Sequence, residues 1–216
     1  GLSHPHDLGG DSTLFPGVAN NSDKGSNNLN QNIYTVMTYN DYGSSDLYPE
    51  YISNYGTSKG PMAFDIKAIE YLYGLSDEYK SEDNVYIITD NTNTDSTGYN
   101  CIVDNNGNDL IVYNGNQKVT IDLRPASITK IDKFGGYISK VDDVNVKSGF
   151  TIYNNSIIEQ ASGGTNDDTF IPNENITNII DGNEGVDKVY YAYNYNTYEV
   201  VKYDNYITVS NNFATD

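Results

Sequence analysis

The sequence predicts a mostly β protein: a loop-rich first unit closed by one helix, then a second unit of short strands. Three observations carry this prediction. The 216 residues include 21 Tyr and 19 Gly but no Trp, and Asn, Asp and Gly punctuate short runs of Val, Ile and Tyr through the second half. β-Branched and aromatic residues suit a pleated surface, while Asn, Asp and Gly suit the turns between strands. Only one stretch repeats its apolar residues at helical spacing, and the composition shifts near residue 75. Units of 1–75 and 76–216 follow.

Residues 1–60 are irregular, rich in Gly, Ser, Asn and Asp, with "YTVMTYNDYG" in their middle. The helix is "GPMAFDIKAIEYLYG", closing the first unit over 61–74. Pro61 suits a first turn, Gly74 suits a C-terminal stop, and Met62, Ile66, Ile69, Leu72 and Tyr73 fall on one face, read as core. After Gly74 the period changes. "NVYIITD", "YNCIVDN", "DLIVYNG", "KVTIDL", "GFTIYN", "TNIID", "KVYYAYNY", "YEVVKYD" and "YITVSN" predict strands. The "NGN" of 114–116 predicts a hairpin turn, and "YDNY" at 203–206 predicts another near the C-terminal end.

Charge and cysteine use narrow the function. Twelve basic against 30 acidic residues give a formal charge of −18, which repels nucleic acid and anionic membrane. The acid serves either solvation or cation sites. No apolar run is long enough to span a bilayer, and no signal peptide opens the sequence. Cys101 is the one cysteine, so no intramolecular disulfide forms; in a strand it is expected to be buried and inert. Metal ions are then the available staple for a secreted domain.

The opening "GLSHPHD" and the later "VMTY" carry the chemistry. A metzincin zinc site has the pattern H-E-x-x-H-x-x-G-x-x-H followed by a Met-turn. Gly1 and His4 match its last Gly and third His, and Met37 matches the Met-turn. With the "DIKAIEYLYG" helix behind them, these stretches resemble the serralysins, secreted bacterial zinc proteases. That resemblance implies that the chain begins inside the zinc motif, with His4 and Tyr39 as zinc ligands. Tyr39 would also have a catalytic role, swinging out to stabilise the oxyanion of the tetrahedral intermediate. His6 has no counterpart in that family and reads first as an exposed loop residue, with metal contact the lesser alternative.

A second pattern points to calcium. Repeats of the form G-G-x-G-x-D-x-U-x build a parallel β-roll with calcium between turns and the apolar U inward. "SGGTNDDTFIP" supplies Gly163, Gly164, Asn166, Asp168 and an inward Phe170; "DGNEGVDKVYY" supplies Gly182, Gly185, Asp187 and Val189. The serralysin resemblance extends here. It implies further calcium ligands at Asp104, Asn106, Gly107 and Asp109, at Glu159, with the Ile157 carbonyl, and at Lys80, Glu82 and Asn84. The second unit is therefore expected to be a calcium-binding parallel β-roll or sandwich, following the end of a metzincin catalytic domain.

The expected function is the C-terminal portion of a secreted, calcium-stabilised zinc endopeptidase. Its cofactors would be Zn²⁺ and Ca²⁺, and its partners a peptide or protein substrate and an upstream part carrying HExxH. Without that part the chain is expected to be inactive, because a catalytic zinc needs three protein ligands and a base. The alternative is a noncatalytic calcium-binding β module of a surface protein or adhesin.

Overall fold

The computed structural model describes residues 1–9, 12–41, 57–74, 82–90, 98–104, 106–128, 136–142 and 148–211. Among them is one α-helix, α1 (Ala63–Tyr73), followed by twelve strands. The strands are β1 (Val85–Ile88), β2 (Tyr99–Ile102), β3 (Leu110–Tyr113), β4 (Val119–Asp122), β5 (Ser139–Val141), β6 (Gly149–Ile152), β7 (Gln160–Ser162), β8 (Thr169–Ile171), β9 (Ile179–Asp181), β10 (Lys188–Val189), β11 (Tyr198–Lys202) and β12 (Ile207–Asn211). The protein is mostly β, as its composition predicts.

The chain winds between two sheets. One has the order β1-β3-β7-β9 and is parallel throughout; the other has the order β10-β8-β4-β5-β6-β2. In the second sheet β5 is antiparallel to both β4 and β6, so the excursion after β4 is spliced into an otherwise parallel ladder. Thr169 pairs with Lys188 and Gln160 with Ile179, each nineteen residues on, one more than two nine-residue units. Ile88, Ile111, Tyr113 and Ala161 from one sheet meet Ile102, Ile121, Ile152 and Phe170 from the other in one core. Phe170 points inward as expected, at 1 % exposure.

The strand connections correct one expectation. β3 and β4 lie in different sheets, so the "NGN" of 114–116 is a crossover between sheets and not a hairpin turn. Thr165 N–H donates to the Gly115 carbonyl at 3.1 Å, which stacks this turn on the one after β7. The "YDNY" turn is a hairpin: β11 and β12 are antiparallel and Tyr203 N–H donates to the Tyr206 carbonyl. Of "KVYYAYNY" only Lys188–Val189 is strand, and Val189 is exposed, because no further layer covers the last turn of the roll.

The first segment packs by its own apolar residues. Leu29, Ile33, Tyr34 and Met62 form a cluster with Tyr99 and Ile138. Tyr99 is fully buried and its Oη donates to Asn32 Oδ1 at 2.5 Å. Helix α1 differs from expectation in the face it buries. Met62, Ala63 and Asp65 are inside, whereas Ile69, Leu72 and Tyr73 are exposed. Pro61 stands just ahead of the helix, and Gly74 ends it at φ 88°, a conformation that favours glycine.

Candidate metal centre

His4, Met37 and Tyr39 come together, although thirty-odd residues separate the first from the others. His4 Nδ1 lies 2.6 Å from the Met37 carbonyl oxygen. A carbonyl only accepts, so Nδ1 is the donor, and in the neutral ring the lone pair is on Nε2. Metal-binding imidazoles are commonly oriented in this way. The Tyr39 ring stacks on His4 with centroids 5.1 Å apart and is otherwise open to solvent. His6 departs from expectation: it is half-buried, with its ring 5.5 Å from His4 and 5.4 Å from Tyr39.

A buried carboxylate fixes the segment that carries Met37. Asp65, 2 % exposed, accepts from Thr35 Oγ1 at 2.6 Å, from Val36 N–H at 2.8 Å and from Met62 N–H at 2.8 Å. Thr35 Oγ1 in turn accepts from Met37 N–H at 3.0 Å. One side chain thus ties the start of α1 to the segment that presents Met37 and Tyr39. A groove of ≈ 750 Å³ opens beside it, walled by Leu2, His4, Phe15, Met37, Phe64 and Leu72.

On the roll, the residues just before β1, β3 and β7 form a column: Asn84, Asp109 and Glu159. Asn84 N–H donates to Asp109 Oδ1 at 2.7 Å, and Asp109 N–H donates to Glu159 Oε2 at 2.9 Å. Asp104 joins them, accepting from Tyr86 Oη at 2.5 Å through Oδ2. Burial, then the Asp104 carboxylate, pushes the Tyr86 phenol well above its usual range. Burial raises the Asp109 carboxyl too, with the charges of Asp104, Glu159 and Asp83 acting the same way against the Asn84 N–H bond. Asp104 Oδ1 and Asp109 Oδ2 are both buried with no hydrogen-bond partner. Two anionic oxygens in that state suit a hard cation. Gly107, at φ 104°, lets the loop close on it: a Cβ there would lie 2.6 Å from the Glu82 carbonyl oxygen. Asn84 Nδ2 donates to that same carbonyl. Lys80 lies outside the described residues. Asn106 is exposed at the rim of the loop.

The turns after β7 and β9 repeat the arrangement. Asp168, 1 % exposed, accepts from Val119 N–H at 2.9 Å and from Gly164 N–H at 2.7 Å. Asp168 N–H donates to Asp187 Oδ1 at 2.9 Å. Burial raises the Asp168 carboxyl, and the Asp187 and Asp142 charges add to this, while the Val119 and Gly164 bonds oppose it. Glycines line the cradle: a Cβ on Gly163 would sit 2.3 Å from Asp168 Oδ2, and one on Gly182 2.1 Å from Asp187 Oδ2. Gly185, at φ 121°, abuts the Asn166 carbonyl. Cys101 is half-buried and burial pushes its thiol up to about 12, which leaves it inert.

Sequence reasoning passed over Asp65, Tyr86 and the placement of His6. Asp65 is the third residue of α1, where an acid often reaches back to the helix start, but Met62 in the capping position hides that signal.

No family profile matches the chain. Over 185 residues it is 28 % identical to a serralysin of Photorhabdus laumondii subsp. laumondii, covering 81 % of this chain and 34 % of that protein. Over 197 residues it is 30 % identical to metallopeptidase AprA of Pseudomonas marginalis, covering 83 % and 36 %. A serralysin of Proteus mirabilis is 29 % identical over 135 residues, 58 % of this chain and 26 % of that protein. These relatives make the chain a relative of metallopeptidases. Within that class it is serralysin-like. It spans about a third of the length of the curated relatives it matches.

Proposed function

We propose that this chain is the C-terminal part of a secreted zinc endopeptidase, bearing the third zinc imidazole, the Met-turn and a calcium-held β-roll. The observation that carries this is the His4 Nδ1 bond to the Met37 carbonyl at 2.6 Å, with the Tyr39 ring against the same imidazole. When bound, zinc supplies the Lewis-acid polarisation that peptide hydrolysis needs. His4 would offer Nε2 to the ion, with the Met37 carbonyl holding the ring in that tautomer. Tyr39, free to swing because it is exposed, donates its phenolic O–H to the oxyanion that develops on the substrate carbonyl. The apolar groove beside His4 is the seat for a helix carrying HExxH, which supplies the other imidazoles and the base. Calcium would occupy the Asp104–Asp109–Glu159 site and the stacked turns holding Asp168 and Asp187, offsetting their mutual repulsion. No helix among the described residues is long and apolar enough to cross a membrane.

The test uses the longer protease that carries this chain, with a fluorogenic peptide and zinc analysis. His4→Ala should abolish turnover and loosen zinc. Tyr39→Phe should lower kcat by about 10²-fold, the scale for one oxyanion donor, while zinc content stays. Full turnover with His4→Ala would overturn the assignment.

A further inference from the structure

His6 lies where the reading above does not use it. Asp7 N–H donates to the His4 carbonyl at 3.0 Å, closing a four-residue turn with Pro5 at its second position. Phe15 N–H donates to the Pro5 carbonyl at 2.9 Å and ties this turn to the next segment. The turn brings both imidazoles to one side. Their centroids are 5.5 Å apart at an interplanar angle of 31°, and Tyr39 stands 5.1 Å from one ring and 5.4 Å from the other. Two imidazoles that share one tetrahedral ion at about 2.0–2.1 Å per nitrogen place their centroids about 5–5.5 Å apart. The observed pair stands at that centroid separation. The side chain of His6 is 21 % exposed, and the Asp7 carboxylate lies 3.6 Å from its Nε2, able to orient a ligating ring. Among the described residues no third His, Cys, Asp or Glu gathers with these two imidazoles for a metal, so the third donor on offer is the Tyr39 phenol.

We propose that His6 joins His4 and Tyr39 as a second imidazole donor, giving this chain by itself a site for one divalent transition ion. The inference rests on the zinc reading of His4 and Tyr39 and adds a residue to it. Its use is capture: this segment holds the ion before the remaining imidazoles close on it. Imidazole nitrogen with phenolate oxygen suits Zn²⁺ and Cu²⁺ better than Ca²⁺ or Mg²⁺.

The experiment titrates Zn²⁺ and Cu²⁺ into the 216-residue chain in millimolar calcium, which keeps the carboxylate sites from competing. Calorimetry and the phenolate-to-Cu²⁺ charge-transfer band are read together. One ion should bind per chain. His4→Ala and His6→Ala should each weaken binding at least tenfold with the far-ultraviolet circular dichroism unchanged, and His6→Cys should restore most of the affinity. Tyr39→Phe should remove the charge-transfer band. Binding by His6→Ala equal to wild type overturns the proposal, as does a wild-type chain that binds neither ion. Failure here is separable from failure of the protease reading, which stands or falls on His4→Ala turnover in the longer enzyme.

Discussion

Asp109→Asn offers a test of the calcium reading in which the two metal states move in opposite directions. Asp109 is 1 % exposed, its Oδ1 accepts from Asn84 N–H, and its Oδ2 has no partner beside the equally unpartnered Asp104 Oδ1. Asparagine keeps the shape and the Oδ1 acceptor. It replaces the orphan oxygen with a donor and removes one of the charges that crowd the site. An unsatisfied buried polar atom costs about 1–3 kcal/mol. Relief should therefore raise the melting temperature in EDTA by about 2–12 °C, at roughly 2–4 °C per kcal/mol for a chain of this size. In calcium the sign reverses. The wild type gains about 2.7 kcal/mol at a hundredfold excess over Kd, roughly 5–10 °C by the same scaling, and the variant should lose most of that gain. Scanning calorimetry of both proteins, in EDTA and in millimolar calcium, reads all four values. A variant that melts lower than wild type in EDTA, or that keeps the full calcium shift, would refute the reasoning.

Other expectations follow from the same geometry. Asp65→Ala removes the acceptor of three donors at once and should cost roughly 3 kcal/mol or more, read by urea denaturation of the chain, with turnover lost in the longer protease. Gly163→Ala forces a methyl against Asp168 Oδ2, which Gly164 N–H already holds in place; it should cost about 1–3 kcal/mol and abolish part of the calcium shift, read by the same melts. In the calcium-free chain the Asp109 carboxyl is raised above its ordinary 3.8, so the folded state binds that proton more tightly than the unfolded state does. The deficit of wild type relative to Asp109→Asn should then widen as pH rises from about 4 toward neutrality; a gap that narrows over this range would count against the assigned cause.

Local chemistry in the sequence determined most of the architecture. Val, Ile and Tyr runs between Asn, Asp and Gly could form only short strands, and one 3.6-residue period could form only one helix. The recurrence of Gly and Asp at Gly163–Asp168 and Gly182–Asp187 set the nineteen-residue circuit of the roll. His4, Met37 and Tyr39 could be grouped in advance through the serralysin resemblance, and the fold brings the three together. Partner choice was not legible. "NGN" at 114–116 has the composition of a hairpin, yet it crosses between sheets, since β3 pairs with β1, twenty-five residues back, and β7, fifty residues on, and not with β4. The helix face was misread because propensity and period say which residues are apolar and not what packs on them: Ile69 and Leu72 stand exposed while Asp65 is buried. His6 and Asp65 take their roles from a turn and from a segment thirty residues distant, contacts that no local pattern encodes. Tertiary structure alone decided that Asp104 and Asp109 are buried with one unpartnered oxygen each, because burial depends on what packs over their loop.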